Sequence, residues 1–313
     1  MFKNTLDNKR YYTLNCYYKR KYQRKVFKVS LNAGFTCPNR DGTISTGGCI
    51  FCSALGSGDF AGDRNLDLVT QFNTIRDMML KKWPDALYIG YFQANTNTYG
   101  SIEELKEKYE TILKLPNVVG LNIATRSDAI NDDILEYLSE LNKKCDLVIE
   151  LGLQSMHDET LKLINRGHDL KNFDECVKKL KSKNIKVVAH IINGLPGETK
   201  EMMVETASHL NDLGIDGIKI HMLHIIENTK LAQMYKEKPF HILTKEEYID
   251  IVISELEVLN ENIVINRITG DPVKEDLIAP TWLLKKFCVL NDIDKEMVKR
   301  DTYQGKYAKN PRD

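Results

Sequence analysis

From residue 26 onward the chain alternates short runs of β-branched and apolar residues with longer stretches of helical period. Val26-Phe27-Lys28-Val29-Ser30-Leu31 reads as a first strand and Leu87-Tyr88-Ile89-Gly90-Tyr91-Phe92 as a second. Between them, residues 66–82 carry apolar positions Leu66, Val69, Phe72, Ile75, Met78 and Met79 at helical spacing, and Trp83-Pro84 ends that helix. Ser101-Ile102-Glu103-Glu104 has the form of a capping box and opens a helix to about Leu115. Further strands are expected at 118–124, 146–153, 185–192 and 217–222. The intervening helices fall at 132–142, 158–164, 171–183 and 199–213, and a last one near 245–260 opens with Thr244 and Glu247.

Six βα units in succession imply parallel strands joined by right-handed crossovers. The expected fold is α/β, a partial (β/α)6 TIM-like barrel. After residue 260 only Ile263-Val264-Ile265-Asn266 has a strand pattern, so two further units for a full barrel are not in view. The division expected is an N-terminal arm over 1–25, the barrel over 26–260 and a C-terminal extension over 261–313.

Composition narrows the class. The 313 residues are 42% hydrophobic and 28% charged, enough for a large core. No run approaches the ~20 apolar residues of a membrane span, and no signal-type apolar segment follows Met1. With seven cysteines, an odd number, a reducing and cytoplasmic setting is expected. The formal net charge is zero, yet residues 1–28 hold nine Lys and Arg against the single acid Asp7. Tyr11, Tyr12, Tyr17, Tyr18 and Tyr22 interleave that run. Lys19, Arg20, Lys21, Arg24 and Lys25 could therefore hold the phosphates of a nucleic acid while tyrosines stack on bases. The plainer alternative is a solvated segment whose tyrosines pack on the barrel.

Three of the cysteines stand together past the first strand. Cys37, Cys49 and Cys52 are spaced C-x11-C-x2-C, with Gly42, Gly47 and Gly48 between them to turn the loop back. Structural zinc takes four protein ligands, whereas a [4Fe-4S] cluster on three cysteines leaves one iron open. A zinc knuckle would need Cys16 or a distant histidine as its fourth ligand. Cys145, Cys176 and Cys288 fall at apolar or helical positions and read as core thiols.

The polar residues at strand ends come next, because barrel enzymes place their chemistry there. Gln93-Ala94-Asn95-Thr96-Asn97-Thr98-Tyr99 after the second strand is dense in neutral donors and acceptors, though such a loop can serve as a turn alone. Arg126 after the third strand suits a carboxylate or phosphate, or an ion pair with Asp128. Glu150 inside the apolar fourth strand must meet a partner, Arg126 being one candidate. Gln154 and Arg166 follow it. His190 is a lone histidine in the fifth strand, and such residues are often structural. His221 and His224 end the sixth strand as candidate substrate or proton-transfer groups.

These motifs in this order resemble the radical S-adenosylmethionine (SAM) superfamily. The commonest spacing there has three residues between the first two cysteines. The eleven found here are similar to the longer-looped group around the elongator catalytic subunit. Thr125-Arg126-Ser127-Asp128 resembles that group's Thr-Arg-Pro-Asp, with serine for proline. Glu150-x-Gly152-x-Gln154-Ser155 with Arg166-Gly167-His168 resembles the group of coproporphyrinogen dehydrogenase, and Gly194-Leu195-Pro196-Gly197-Glu198-Thr199 is typical of the superfamily. Arg267–Pro272, Ala279–Trp282 and Arg300–Lys306, turn-rich and polar, complete the likeness to the YhcC/YtqA-like subgroup over nearly the whole chain.

The resemblance implies a [4Fe-4S] cluster on Cys37, Cys49 and Cys52, with SAM as cofactor and partner. It implies cleavage of SAM to a 5′-deoxyadenosyl radical that takes hydrogen from a substrate, on an electron from a flavodoxin or ferredoxin. Gln93, Asn95, Thr96, Arg126, Glu150, Gln154, Arg166 and His190 become cofactor-binding candidates; the family's Gly-Gly-Glu-like turn after the second strand is absent. The elongator-like features and the basic arm point to a tRNA wobble-uridine side chain as substrate. The alternatives are a small-molecule or tetrapyrrole substrate, or a non-catalytic, zinc-containing nucleic-acid-binding protein.

Overall fold

The computed structural model describes residues 2, 4–54, 56 and 61–309; Lys3 of the basic run lies outside them. The six expected strands are β1 (Val26–Leu31), β2 (Leu87–Phe92), β3 (Val118–Thr125), β4 (Asp146–Gln154), β5 (Lys186–Asn193) and β6 (Gly217–Met222). Each pairs in parallel with the next in chain order. Beyond β6 come β7 (Ile225–Ile226), β8 (Val264–Arg267) and β9 (Leu277–Ala279). β8 joins the sheet beside β6 as a seventh parallel strand, and β7 pairs antiparallel with β9.

The sheet is a curled half-barrel. Lys28 on β1 reaches Glu150 on β4, and Lys219 on β6 reaches Tyr91 on β2, so strands separated by others meet across the interior. The period of two explains what lies on each side. Outward positions such as Leu121, Ile123, Leu147, Ile149, Leu151, Val187, Ile218 and Ile220 are buried beneath the crossover helices. The inward positions between them are largely polar.

Ten helices occur among the described residues: α1 (Leu14–Tyr22), α2 (Leu68–Leu80), α3 (Ile102–Leu113), α4 (Asp132–Asn142), α5 (Asp158–Leu163), α6 (Leu170–Ser182), α7 (Lys200–Leu213), α8 (Lys230–Glu237), α9 (Lys245–Val258) and α10 (Lys286–Lys299). Short polar side chains start those in the barrel. Asp67, Ser101, Asn131, Asp169 and Thr199 each accept a backbone N–H of the first turn. Thr244 and Glu247 close a reciprocal capping box. On α6, Phe173, Val177 and Leu180 recur at helical spacing and are fully buried, each removal from water contributing about 1.5–3 kcal/mol. α1, α8 and α10 were not anticipated from the apolar pattern. α10 packs on α9, and its Cys288 is exposed rather than a core thiol, while Cys176 is buried.

The basic N-terminal segment packs on the barrel. Thr13 bridges to Ile265 of β8, and Tyr18 joins Val26, Leu87 and Ile89 in a buried cluster. Tyr22 donates its hydroxyl hydrogen to Asp146 at 2.6 Å, and Lys21 and Lys186 pair with the same carboxylate. Asp146 and Lys186 open β4 and β5, so α1 crosses the N-terminal end of the barrel.

One buried acid stands apart from the interior. Glu255 on α9 is fully buried and accepts from Asn193 Nδ2 at 2.9 Å. Burial pushes its carboxyl from 4.5 up to about 8, against the Asn193 hydrogen bond. A raised acid pKa means the folded state holds a proton that the unfolded chain has released. The neutral form's contribution to stability is therefore complete below about pH 4.5 and is lost as pH rises towards 8. Glu255→Gln is expected to leave the melting temperature unchanged at pH 5 and to raise it by roughly 5–10 °C at pH 8.5. Thermal melts of both proteins at the two pH values check this; equal shifts at both would contradict it.

Candidate active site

The cysteine loop is built by local turns and then tied to its neighbours. Cys37 O accepts from the backbone N–H groups of Arg40 and Asp41, and a bridge between Asp41 and Thr46 folds the segment back. Gly48 has φ +80°, and a Cβ there would meet Arg40 Cγ at 2.9 Å. Cys49 and Cys52 close a short turn, with Cys52 N donating to Cys49 O at 3.0 Å. Asn39 Nδ2 donates to Asn165 O at 2.6 Å, and Asn165 Nδ2 to Gly48 O at 2.8 Å, fastening the loop to the end of α5. On the other side, Asn95 Nδ2 donates to Phe35 O and Thr96 N to Thr36 O, so the loop after β2 fixes the approach to Cys37.

Positive charge backs the thiols. Arg166 spans from Gly152 O to Cys49 Sγ, 3.7 Å from Nη1. Gly152 permits this, because a Cβ there would meet Arg166 Nη2 at 2.8 Å. A hydrogen bond from Cys52, with Arg166 and Arg126 nearby, lowers the Cys49 thiol to about 5 despite its burial. Arg40 donates to Ser53 O and Ala54 O at the outer edge of the loop.

Cys37, Cys49, Cys52, Gln93, Asn95, Thr96, Arg126, Glu150, Gln154, Arg166 and His190 all line one cavity of about 930 Å³ at the C-terminal ends of the strands. Gln154 ends β4 at φ +81°, a strained conformation for a residue with a side chain. Arg126 is 3% exposed and forks onto Asp128 through Nε and Nη2, while its Nη1 is buried without a partner. The ion pair that Arg126 makes is thus buried and runs to Asp128, not to Glu150. Glu150 instead meets Lys28, Asn122, His190 and Lys219. Burial alone would raise its carboxyl, but Lys219 and Lys28 with the His190 hydrogen bond hold it well below the usual range.

Lys28, Tyr91, Asn122 and Lys219 were missed in the sequence. The available signal was a single lysine inside each of two largely apolar strands, Val26–Leu31 and Gly217–Met222. His221 and His224 also line the cavity, and burial lowers both imidazoles, so both are neutral at pH 7. Cys16 is elsewhere, buried on α1 with its thiol on Asn4 O, and gives the three cysteines no fourth ligand.

The basic residues of the arm lie at the other end of the strands. Lys21 pairs with Asp146, Arg24 donates to Asp85 O ahead of β2, and Lys25 sits over Phe27 and Trp83. Arg20 donates to Asn4 Oδ1, and Lys19 is exposed.

A half-barrel with a three-cysteine loop over the mouth of its cavity defines a class of enzymes that hold an iron–sulfur cluster beside a substrate chamber. The cavity wall carries three thiols near arginines and, in Arg126 Nη1, a buried donor with no acceptor, while among the described residues no three Cys, His, Asp or Glu side chains converge closely enough for a single metal ion. Residues 37–210 match the family described as the radical SAM superfamily, and residues 215–299 its C-terminal domain. The chain belongs to the radical SAM superfamily and is a radical SAM enzyme.

Within that family it is 49% identical over 299 residues to YtqA of Bacillus subtilis, covering 96% of this chain and 93% of that one. It is 29% identical over 199 residues to the tRNA uridine(34) acetyltransferase of Methanocaldococcus infernus, spanning 63% of this chain and 35% of that longer protein. The solved structure of the archaeal Methanocaldococcus infernus Elp3 lacking its N-terminus superposes with a TM-score of 0.69 at 21% identity. That superposition covers 90% of this chain and 64% of the other and shows the shared fold. Among the described residues no helix is long and apolar enough to cross a membrane.

Proposed function

We propose that Cys37, Cys49 and Cys52 hold a [4Fe-4S] cluster, that SAM occupies the adjoining cavity, and that the substrate is a tRNA wobble-uridine side chain. When bound, cluster and SAM supply a 5′-deoxyadenosyl radical able to take hydrogen from an unactivated carbon, on one electron from a flavodoxin- or ferredoxin-type donor. The protein's part is to bind, orient and exclude water. Arg126, fixed by Asp128 through Nε and Nη2, would hold the methionyl carboxylate on its unpartnered Nη1. Gln93, Asn95 and Thr96 after β2 and Gln154 after β4 line the chamber that takes the rest of SAM. Arg166 offsets the negative charge of the thiolates. The catalytic unit expected over 26–260 extends past its C-terminal bound, since β8 (Val264–Arg267) completes the sheet and residues 266–286 supply part of the cavity wall; the arm over 1–25 flanks it.

Similarity to the tRNA uridine(34) acetyltransferase over 199 residues supports an RNA substrate. The arm's cations stand at the opposite end of strands six to nine residues long, roughly 20–30 Å from the cavity mouth, so they would hold RNA away from the reacting base. The small-molecule reading is favoured by the depth of the cavity, whose inner end is a cluster of charged side chains. The test is anaerobic reconstitution with iron and sulfide, then dithionite and SAM, with and without unmodified tRNA. tRNA is expected to stimulate 5′-deoxyadenosine release at least about tenfold and to show a mass change in its digested nucleosides. Release that ignores tRNA, with no altered nucleoside, would move the assignment to a small molecule.

A further inference from the structure

Six successive strands each send one side chain to a common point inside the half-barrel: Lys28, Tyr91, Asn122, Glu150, His190 and Lys219. Glu150 is at the centre, its side chain 0% exposed. Its Oε1 accepts from Lys28 Nζ at 2.8 Å and Asn122 Nδ2 at 2.7 Å. Its Oε2 accepts from Lys219 Nζ and from His190 Nε2, the latter at 2.9 Å. A carboxylate has about four acceptor positions, and here all are taken. Glu150 therefore has nothing left for an incoming hydroxyl.

The lysines are not saturated. An ammonium carries three N–H donors. Among the described residues Lys28 directs one to Glu150, and Lys219 directs two, to Glu150 and the Tyr91 hydroxyl at 2.8 Å. The charges do not balance either. Two ammonium groups face one carboxylate, and His190 is neutral at pH 7 because burial lowers it to about 4. Arg267 on β8 lines the same cavity, its charge met by Asp271. The acids Asp271 and Asp276 line the same cavity, but Asp271 is already held by Arg267 and Lys286. An excess of one positive charge on the partly buried Lys28, beside the buried Lys219–Glu150 pair, favours an anion that arrives to meet it.

We infer that the inner end of the cavity, framed by Lys28 and Lys219, is a subsite for a carboxylate or phosphate group of the substrate. The inference rests on reading this cavity as the reaction chamber. Lys28 lies three residues before the end of β1 and Glu150 four before the end of β4, roughly 10 Å below the strand ends that carry the cysteine loop. That depth separates the subsite from Arg126, which stands past the end of β3. The substrate then spans the chamber with its acidic end down and its reacting carbon towards the cysteines. A pendant acid group reaches this depth, whether borne by a nucleoside side chain or by a small acid.

The test uses the full chain purified without iron or SAM, titrated calorimetrically at low salt and 10 °C with succinate and, separately, inorganic phosphate. One of them is expected to bind saturably at a single site, and which one binds tells carboxylate from phosphoryl recognition. Lys28→Met and Lys219→Met should each weaken binding at least about tenfold, whereas Lys219→Arg should retain it. Glu150→Gln removes the competing anion and should tighten binding about tenfold, a gain that a merely structural role for the cluster would not produce. Lys162→Met, exposed on α5 and outside the cavity lining, should change nothing. Absence of saturable binding to both wild type and Glu150→Gln overturns the inference, as does undiminished binding by the Lys28→Met/Lys219→Met double variant. Because neither iron nor SAM takes part, failure here leaves the radical SAM chemistry standing, and failed SAM cleavage leaves this result readable.

Discussion

Cys52→Ala is expected to abolish iron retention after reconstitution and to lower dithionite-dependent release of 5′-deoxyadenosine from SAM by at least about a hundredfold, since even the supports of metal ligands cost 10–100-fold when removed. Three thiolates are the least that can hold a cluster while leaving one iron open, so losing one leaves an unsupported site. Among the described residues no other cysteine lines the cavity. Cys16 is on α1 with its thiol on Asn4 O, Cys176 is buried on α6, and Cys288 is exposed on α10. Alanine at Cys52 keeps the turn, because the bond from its backbone N–H to Cys49 O does not involve the side chain. The variant should therefore fold normally while losing cluster and cleavage together. Cys288→Ala, in parallel, should retain both. Undiminished cleavage by an iron-free Cys52→Ala protein would sink the assignment of these three residues.

The second large effect is on stability. Glu150→Gln keeps the shape of the side chain but removes the acid that meets both Lys28 and Lys219. Breaking a buried ion pair from one side costs about 3–5 kcal/mol, because the partner charge stays behind in a poorly solvated place. At this chain length that corresponds to a fall in melting temperature of roughly 6–10 °C, leaving a folded protein at low temperature. Burial holds Lys219 down at about 8 against the attraction of Glu150, so in the variant Lys219 has less reason to stay charged. The loss should consequently shrink at pH 9, where Lys219 can deprotonate. Added anion should restore part of it at pH 7. A melt that does not change on substitution would mean that the network is hydrated enough to be dispensable.

Much of the fold was legible because its signals are local. Strand and helix boundaries followed from period-two and period-3.6 patterns, as in Gly217–Met222 and Asp132–Asn142, both found at the expected residues. The caps at Ser101 and Thr244 were readable, since capping involves residues three apart, although only Thr244 and Glu247 close the full box and Ser101 caps through its side chain alone. α1 was less legible. Its basic and tyrosine-rich sequence has a weak apolar face of its own and is helical where Tyr18 and Tyr22 pack on other elements. A solvated face and a packed one carry similar residues there, and the difference lies in Asp146, more than a hundred positions away.

By itself the sequence determined that strands and helices alternate, that three cysteines gather in a glycine-turned loop past the first strand, and that polar residues crowd the strand ends. Spacing along a chain is enough for each of those. Only the tertiary structure decided which charges meet. Alternation says that Lys28 and Val29 face opposite sides of a strand, without saying which side is interior; the curl of the sheet decides that. It brings Lys28 and Glu150 together across 122 positions and Lys219 and Glu150 across 69, while Arg126 turns to its near neighbour Asp128. A charge placed in an apolar strand announces that it needs a partner, but the partner is fixed by closure of the barrel, a long-range geometry that no local periodicity encodes.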